Sequence, residues 1–268
     1  MLKPATVANL NPHQIRRAKE AYKTLCKNFL EARPNSEYKD YIKSVVANEA
    51  TLDRHVRVFE IYAPYLAPGM RVLDWGCRHA PDSCMIRTLD LDLDLHGCDF
   101  GSEDFSIFHQ YAKLCYRELR HVYRLPYDDH TFDVVISSGV LEHVPLEYES
   151  VHQLWRVIKN NGLLIVTFLP NKTALTGNFS RWVGSTGCHN RLYGLTQTKD
   201  MFSRLGFLIE HYGYHQLFPT LGKNINPRKS LNVLADVGAK LNRSAERVPF
   251  VNRVASNIFF ILRRVEHT

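Results

Sequence analysis

The chain has 268 residues, 45% of them hydrophobic and 23% charged, an ordinary globular composition with room for one large α/β domain and an added cap. Its longest apolar run, Ile258–Leu262, is only strand-length, which excludes a helical membrane span, and Met1-Leu2-Lys3-Pro4 lacks the apolar core of a secretory signal. The net charge of +7 is scattered in small clusters (Arg16-Arg17, Lys223–Lys229, Arg263-Arg264) without interleaved aromatics, so it reads as a solvated basic surface open to peripheral contact with acidic surfaces, and nucleic acid is not the expected partner.

Residues 1–69 are predicted to be helical. Gln14–Leu30 carries Ile15, Ala18, Tyr22, Leu25 and Leu30, and Leu52, Val56, Phe59 and Ala63 follow the one-face spacing of an amphipathic helix that Pro64–Gly69 ends. This segment is either a cap over a cleft, with Tyr38 and Tyr41 as candidate lining, or a layer that shields the sheet.

Arg71-Val72-Leu73 then approaches Asp74 as a first strand. Gly76 and Cys77 give a tight turn, and a short helix is expected over Asp82–Ile86. A strand turning through glycine into a helix presents backbone N–H groups and a helix N-terminus above the sheet, to which Asp74 adds a carboxylate. That combination suits a ligand with a carboxylate, an ammonium and a nucleoside.

A second strand, Asp94–Cys98, ends in Asp99-Phe100, with Ser102 placed to cap a helix holding Glu103 and Asp104 in its first turn. An acidic residue closing strand two, about twenty residues beyond the glycine turn, can accept hydrogen bonds from both ribose hydroxyls. Phe100 would lie against adenine. A nicotinamide dinucleotide would want G-x-G-x-x-G, and the chain offers G-C-R-H-A-P instead.

A third strand is expected over Glu118–Tyr123. Leu125–Val144 follows, reading L-P-Y-D-D-H-T-F-D-V-V-I-S-S-G-V-L-E-H-V, with Phe132–Ser137 as a buried strand. This segment closely resembles the type 11 methyltransferases, and D-W-G-C-R-H-A resembles the D-x-G-C-G-x-G motif of class I S-adenosylmethionine-dependent methyltransferases. Arg78 and Ala80 stand where that pattern has glycine, and Arg78 reads either as a contact to the cofactor carboxylate or as a solvent-facing side chain.

The resemblance implies S-adenosylmethionine as cofactor, held by Asp74, Gly76, Cys77, Arg78, Ala80, Asp99 and Phe100. It further implies that the backbone of Ser137 and Ser138 holds the methionine part, while His121 and Val122 border the adenine. His143 is the candidate general base for an acceptor hydroxyl, or else a histidine that only orients its neighbours. Displacement at a sulfonium methyl is served by positioning and calls for no metal.

Beyond this segment, Tyr148–Ile158 reads as an amphipathic helix stopped by Asn160-Asn161-Gly162, with glycine suited to the left-handed position. Gly162–Phe168 is the fifth strand. The long polar stretch to Thr196 offers His189, Arg191 and Tyr193 as acceptor contacts or as a structural turn. A helix over Thr196–Leu205, a sixth strand over Phe207–Gly213, a helical insertion over Leu231–Leu241 and an antiparallel last strand over Ser256–Arg263 complete the chain.

The six cysteines (Cys26, Cys77, Cys84, Cys98, Cys115, Cys188) show no C-x-x-C spacing, which predicts reduced thiols in a cytoplasmic protein, with neither a zinc site nor a disulfide framework. The expected fold is α/β, a Rossmann-like seven-stranded, mostly parallel sheet, divided as a helical cap (residues 1–69) and a cofactor-binding domain (residues 70–268). The expected activity is O-methylation of a small or medium acceptor, a sugar or glycan-precursor hydroxyl first and a lipid or quinone-like phenol second. An RNA methyltransferase and a non-catalytic cofactor-binding partner subunit are the alternatives.

Overall fold

The computed structural model describes residues 10–101, 103–175, 191–217 and 252–266. Three helices lead: α1 (Pro12–Ala32), α2 (Lys39–Ala47) and α3 (Glu49–Tyr62). Asn11 opens α1 through a reciprocal capping box with Gln14, at 2.9 and 3.0 Å, and the Asn48 side chain accepts from Ala50 N–H at the start of α3. The apolar stripe of α1 (Ala18, Tyr22, Leu25, Cys26, Phe29) and that of α3 (Leu52, Val56, Phe59) join one core with the sheet residues Val72, Leu95, Val134 and Ile165. Each such aliphatic or aromatic side chain contributes roughly 1.5–3 kcal/mol relative to exposure, so packing holds these helices on the sheet.

The sheet has seven strands in the order β3-β2-β1-β4-β5-β7-β6. They are β1 (Arg71–Trp75), β2 (Asp94–Asp99), β3 (Cys115–Glu118), β4 (Phe132–Ser138), β5 (Ile158–Pro170), β6 (Phe207–His215) and β7 (Asn257–Arg264). Only β7 runs antiparallel to its neighbours. β1 is flanked by β2 and β4, with Asp74 opposite Gly97 on one side and Ile136 on the other. The order reverses between β1 and β4, so a crevice opens there at the strands' carboxyl ends. Helices α4 (Pro81–Arg87) and α5 (Ser106–Ala112) lie on the face of α1–α3, and a second core with α6 (Glu147–Val157) and α7 (Leu195–Arg204) covers the other.

Four local expectations are corrected. The third strand is Cys115–Glu118, and residues 119–124 form a loop. Helix α5 starts at Ser106, whose N–H donates to Asp104 Oδ1 at 2.9 Å, so Glu103 and Asp104 precede the helix; the expected cap at Ser102 lies outside the described residues. β5 begins at Ile158, opposite Phe132, and bulges before Leu163. The left-handed residue of that bulge is Asn161 (φ 62), while Gly162 is needed for space, since a Cβ there would lie 2.6 Å from Ile158 Cγ2 and 2.9 Å from Asp133 O. The helical insertion over Leu231–Leu241 also lies outside the described residues. Among the described residues, no helix is long and apolar enough to cross a membrane.

Candidate functional site

A cavity of about 1500 Å³ sits above the carboxyl ends of β1, β2, β4 and β5, roofed by α2 and α3. Its floor is the turn after β1. Gly76 (φ +71), Arg78 (φ 48) and Ala80 (φ 49) are all left-handed, although only the first is glycine. A non-glycine residue in that region costs roughly 1–2 kcal/mol, so local bonds must hold it. Gly76 and Cys77 donate their N–H groups to Cys98 O at 2.8 and 3.2 Å, and Ala80 donates to Cys77 O at 2.6 Å. Arg78 N–H donates to Asp99 Oδ2 at 2.8 Å, His109 Nε2 bonds Arg78 O at 2.7 Å, and the Arg78 guanidinium lies 4.8 Å from the Tyr38 ring centroid. A Cβ on Gly76 would come within 2.5 Å of Val140 Cγ2, so glycine is required there twice over.

The N–H groups of Gly76, Cys77, Arg78 and Ala80 are thus engaged inside the protein, and the site also offers the cavity carboxylates. Asp74 is buried and accepts from Ser83 Oγ at 2.7 Å; burial, with Asp82 beside it, pushes its carboxyl up. Burial also raises Asp82, and its Oδ1 has no hydrogen-bond partner. Asp99 accepts from Phe100 N–H through Oδ1 at 2.6 Å and from Arg78 through Oδ2, and each oxygen retains a lone pair. Burial raises the Asp99 carboxyl against the pull of those N–H groups and of Arg78. Beside it, the large apolar side chains Phe100 and Val122 are 52% and 46% exposed, both on the cavity wall.

This donor set fits S-adenosylmethionine. Asp99 supplies acceptors for ribose hydroxyls, Phe100 and Val122 supply apolar surface for a purine, and Asp74 with the unpartnered Asp82 oxygen supplies acceptors for an ammonium.

Of the residues expected to touch the cofactor, Asp74, Gly76, Cys77, Arg78, Asp99, Phe100, Val122 and Ser138 line the cavity. Ala80 is fully buried beneath the turn. Ser137 is buried as well, because consecutive strand residues face opposite sides of the sheet. His121 stands outside the cavity, its Nδ1 accepting from the N–H groups of Tyr123 and Arg124 at 3.4 and 3.2 Å. His143 is on the wall, in a turn before α6, with Nε2 3.7 Å from Glu142 Oε1. Burial and Arg78 lower its pKa, so it is neutral near pH 7. Glu142 is itself pushed up to about 7 by burial.

Two of the three expected acceptor contacts, Arg191 and Tyr193, stand beside Glu147. Arg191 donates from Nη1 to the carbonyls of Leu141 and Val144, each at 3.1 Å, which braces the turn that carries His143. Tyr193 is buried in the second core, with its backbone paired to Pro170 and Lys172. Neither lines the cavity, and His189 lies outside the described residues.

In the roof, the candidate lining residues Tyr38 and Tyr41 border the cavity together with Arg54 and His55, which the sequence did not single out. The Tyr41 hydroxyl and His55 Nε2 share a hydrogen bond at 2.7 Å, and Tyr22 and His79 Nε2 share one at 2.8 Å. Burial drives His55 well below its ordinary value and His79 to about 3, so both are neutral. Arg54 extends over the Phe168 ring, 5.3 Å from its centroid. Helical spacing marks the packed stripe of α3 but says nothing about which intervening residues overlook a cleft.

The family described as "Methyltransferase domain" matches residues 73–166. A probable S-adenosylmethionine-dependent methyltransferase of Mycolicibacterium smegmatis is 26% identical over 159 residues, which cover 59% of this chain and 59% of that protein. The chain thus spans less than two thirds of that relative's length. A crystal structure of a SAM-dependent methyltransferase from Archaeoglobus fulgidus superposes with a TM-score of 0.58 at 19% identity, over 85% of this chain and all of that one. The [4+2]-cyclase SpnF superposes with a TM-score of 0.54 at 16% identity, over 79% of this chain and 82% of the other. At such identities the likeness shows the fold alone.

Proposed function

We propose that the protein, whose residues 73–166 match the family described as "Methyltransferase domain", is an S-adenosylmethionine-dependent methyltransferase that methylates an oxygen atom of a small or medium acceptor. A sugar or glycan-precursor hydroxyl is the first choice of acceptor and a lipid or quinone-like phenol the second. The observation that carries this reading is the end of β2, where a half-buried carboxylate with free lone pairs stands beside the exposed apolar side chains of Phe100 and Val122.

The cofactor, when bound, supplies an electrophilic methyl group on a sulfonium. In this reading Asp99 accepts from its ribose hydroxyls, Phe100 and Val122 cover its purine, and Asp74 and Asp82 receive its ammonium. Residues 1–69 act as a cap on residues 70–268, with Tyr38, Tyr41 and His55 excluding water from the acceptor side. His143, neutral at pH 7, takes the acceptor's hydroxyl proton at Nε2, and Glu142 stabilises the imidazolium that forms.

Titration with S-adenosylhomocysteine, followed by assay of its release from S-adenosylmethionine over a panel of hydroxyl acceptors, tests the proposal. Binding together with release on a hydroxyl acceptor supports it. Binding without turnover on any acceptor, RNA included, favours a non-catalytic partner subunit. Absence of binding overturns the reading.

A further inference from the structure

The cavity is electrically divided. Its β1–β2 end holds five carboxylates, Asp74, Asp82, Asp99, Glu103 and Asp104, against the guanidinium of Arg78. Its β5 end is lined by Arg54, His55, Phe168, Asn171, Gln216 and Asn257, which are a cation, a neutral histidine, a ring and three neutral amides.

Arg54 is the anomaly at that end. Several other basic side chains of this helical layer are paired, among them Arg57 with Glu60 at 3.4 Å and Lys19 with Asp53 at 2.6 Å. Among the described residues, no carboxylate lies within ion-pair distance of Arg54, and its Nε is buried without a hydrogen-bond partner. One turn away along α3 stand Ala50, Thr51, Arg57 and Val58, none of which can neutralise it. Lying on the Phe168 ring returns only about 0.5–2 kcal/mol to a guanidinium partly removed from water. Besides that ring, the Tyr41 hydroxyl is the neighbour that interacts with Arg54, and it carries no charge. A partly buried guanidinium without a carboxylate, facing an open cavity, is a binding element for an anion.

Resting on the methyltransferase reading, we infer that the acceptor carries an anionic group, a carboxylate or a phosphate, and that Arg54 holds it against Phe168. Position separates this anion from the cofactor's own carboxylate. Phe168 follows Thr167, which pairs with Ser138 of β4, and β4 in turn pairs with β1. Arg54 therefore stands about two strand spacings, roughly 10 Å, across the sheet from the strand that ends in Asp74 and Gly76. A doubly hydrogen-bonded guanidinium would fix the acceptor by its charged end and leave its hydroxyl facing His143.

The test uses the full chain saturated with S-adenosylhomocysteine, titrated with inorganic phosphate, 4-hydroxybenzoate and phenol, as wild type and as Arg54→Gln and Arg54→Lys. Wild type should bind at least one of the two anions tenfold more tightly than phenol. Arg54→Gln should lose that preference tenfold or more, Arg54→Lys should recover part of it, and S-adenosylhomocysteine affinity should stay within twofold for all three. Equal binding of anions and phenol by wild type, or an unchanged preference in Arg54→Gln, overturns the inference. A tenfold loss of S-adenosylhomocysteine binding in Arg54→Gln, with anion binding retained, also overturns it and assigns Arg54 to the cofactor's carboxylate. Failure of wild type to bind S-adenosylhomocysteine removes the methyltransferase reading beneath it, whereas binding without anion preference removes only this step.

Discussion

Asp99 Oδ2 accepts the backbone N–H of Arg78 at 2.8 Å, tying the end of β2 to the turn that follows β1. One carboxylate therefore organises the turn and faces the cavity at once. Asp99→Ala is expected to weaken S-adenosylhomocysteine binding 10- to 100-fold, since hydrogen bonds to a charged group contribute about 1.5–3 kcal/mol each. Calorimetric titration measures the loss and circular dichroism checks that the chain stays folded. An unchanged dissociation constant would remove Asp99 from the ribose role.

Gly76→Ala places a Cβ 2.5 Å from Val140 Cγ2 at a left-handed φ of +71. Overpacking of this kind costs about 1–3 kcal/mol, and the backbone strain adds to it. Tm should fall by roughly 3–10 °C for a chain of this size. Adding Val140→Ala should restore only the steric share; full recovery would mean the backbone conformation costs nothing.

His143→Ala is expected to lower kcat by about 10²–10⁴, the range of general acid–base catalysis, with S-adenosylhomocysteine affinity intact. Near-normal turnover on an active acceptor would make His143 structural.

Arg191→Met removes the donors to Leu141 O and Val144 O that brace the same turn. Turnover should fall while cofactor affinity stays within twofold. A loss confined to cofactor binding would show that Arg191 acts elsewhere.

His215 is fully buried between Phe168 and Phe259, and neither of its ring nitrogens has a partner. Burial lowers its pKa to about 3. Below about 6.5 the unfolded chain binds a proton that the folded chain refuses, so stability from this residue is present above that pH and is lost as pH falls toward the folded value. The acids Asp74 and Asp82, raised by burial, slope the other way, so the comparison must be differential. The stability of His215→Phe relative to wild type should rise by about 1–2 kcal/mol between pH 7.5 and pH 5. A difference that is flat with pH would mean that the buried ring takes up a proton without penalty.

The central strands were legible because their residues are largely apolar and buried: the expected strands Phe132–Ser137 and Gly162–Phe168 fall within β4 and β5. The edge strand β3 was not, since Cys115–Glu118 is short and mostly exposed and carries no hydrophobic signal. Asp99 could be read because its spacing from the glycine turn is set by the length of one helix and one strand. Arg54 and His55 could not, because their meaning depends on Phe168, more than a hundred residues away in sequence, and on the tilt of α3 over it.

The left-handed arginine and alanine after Gly76 bear on how such chains are recognised. A pattern keyed to three glycines treats the residue type as the signature, yet here the path of the backbone is retained by a carbonyl, a carboxylate and a tyrosine ring acting together. Searches that score dihedral angles and the anchoring partners of the loop, instead of its letters, should therefore find further members that glycine-based patterns pass over.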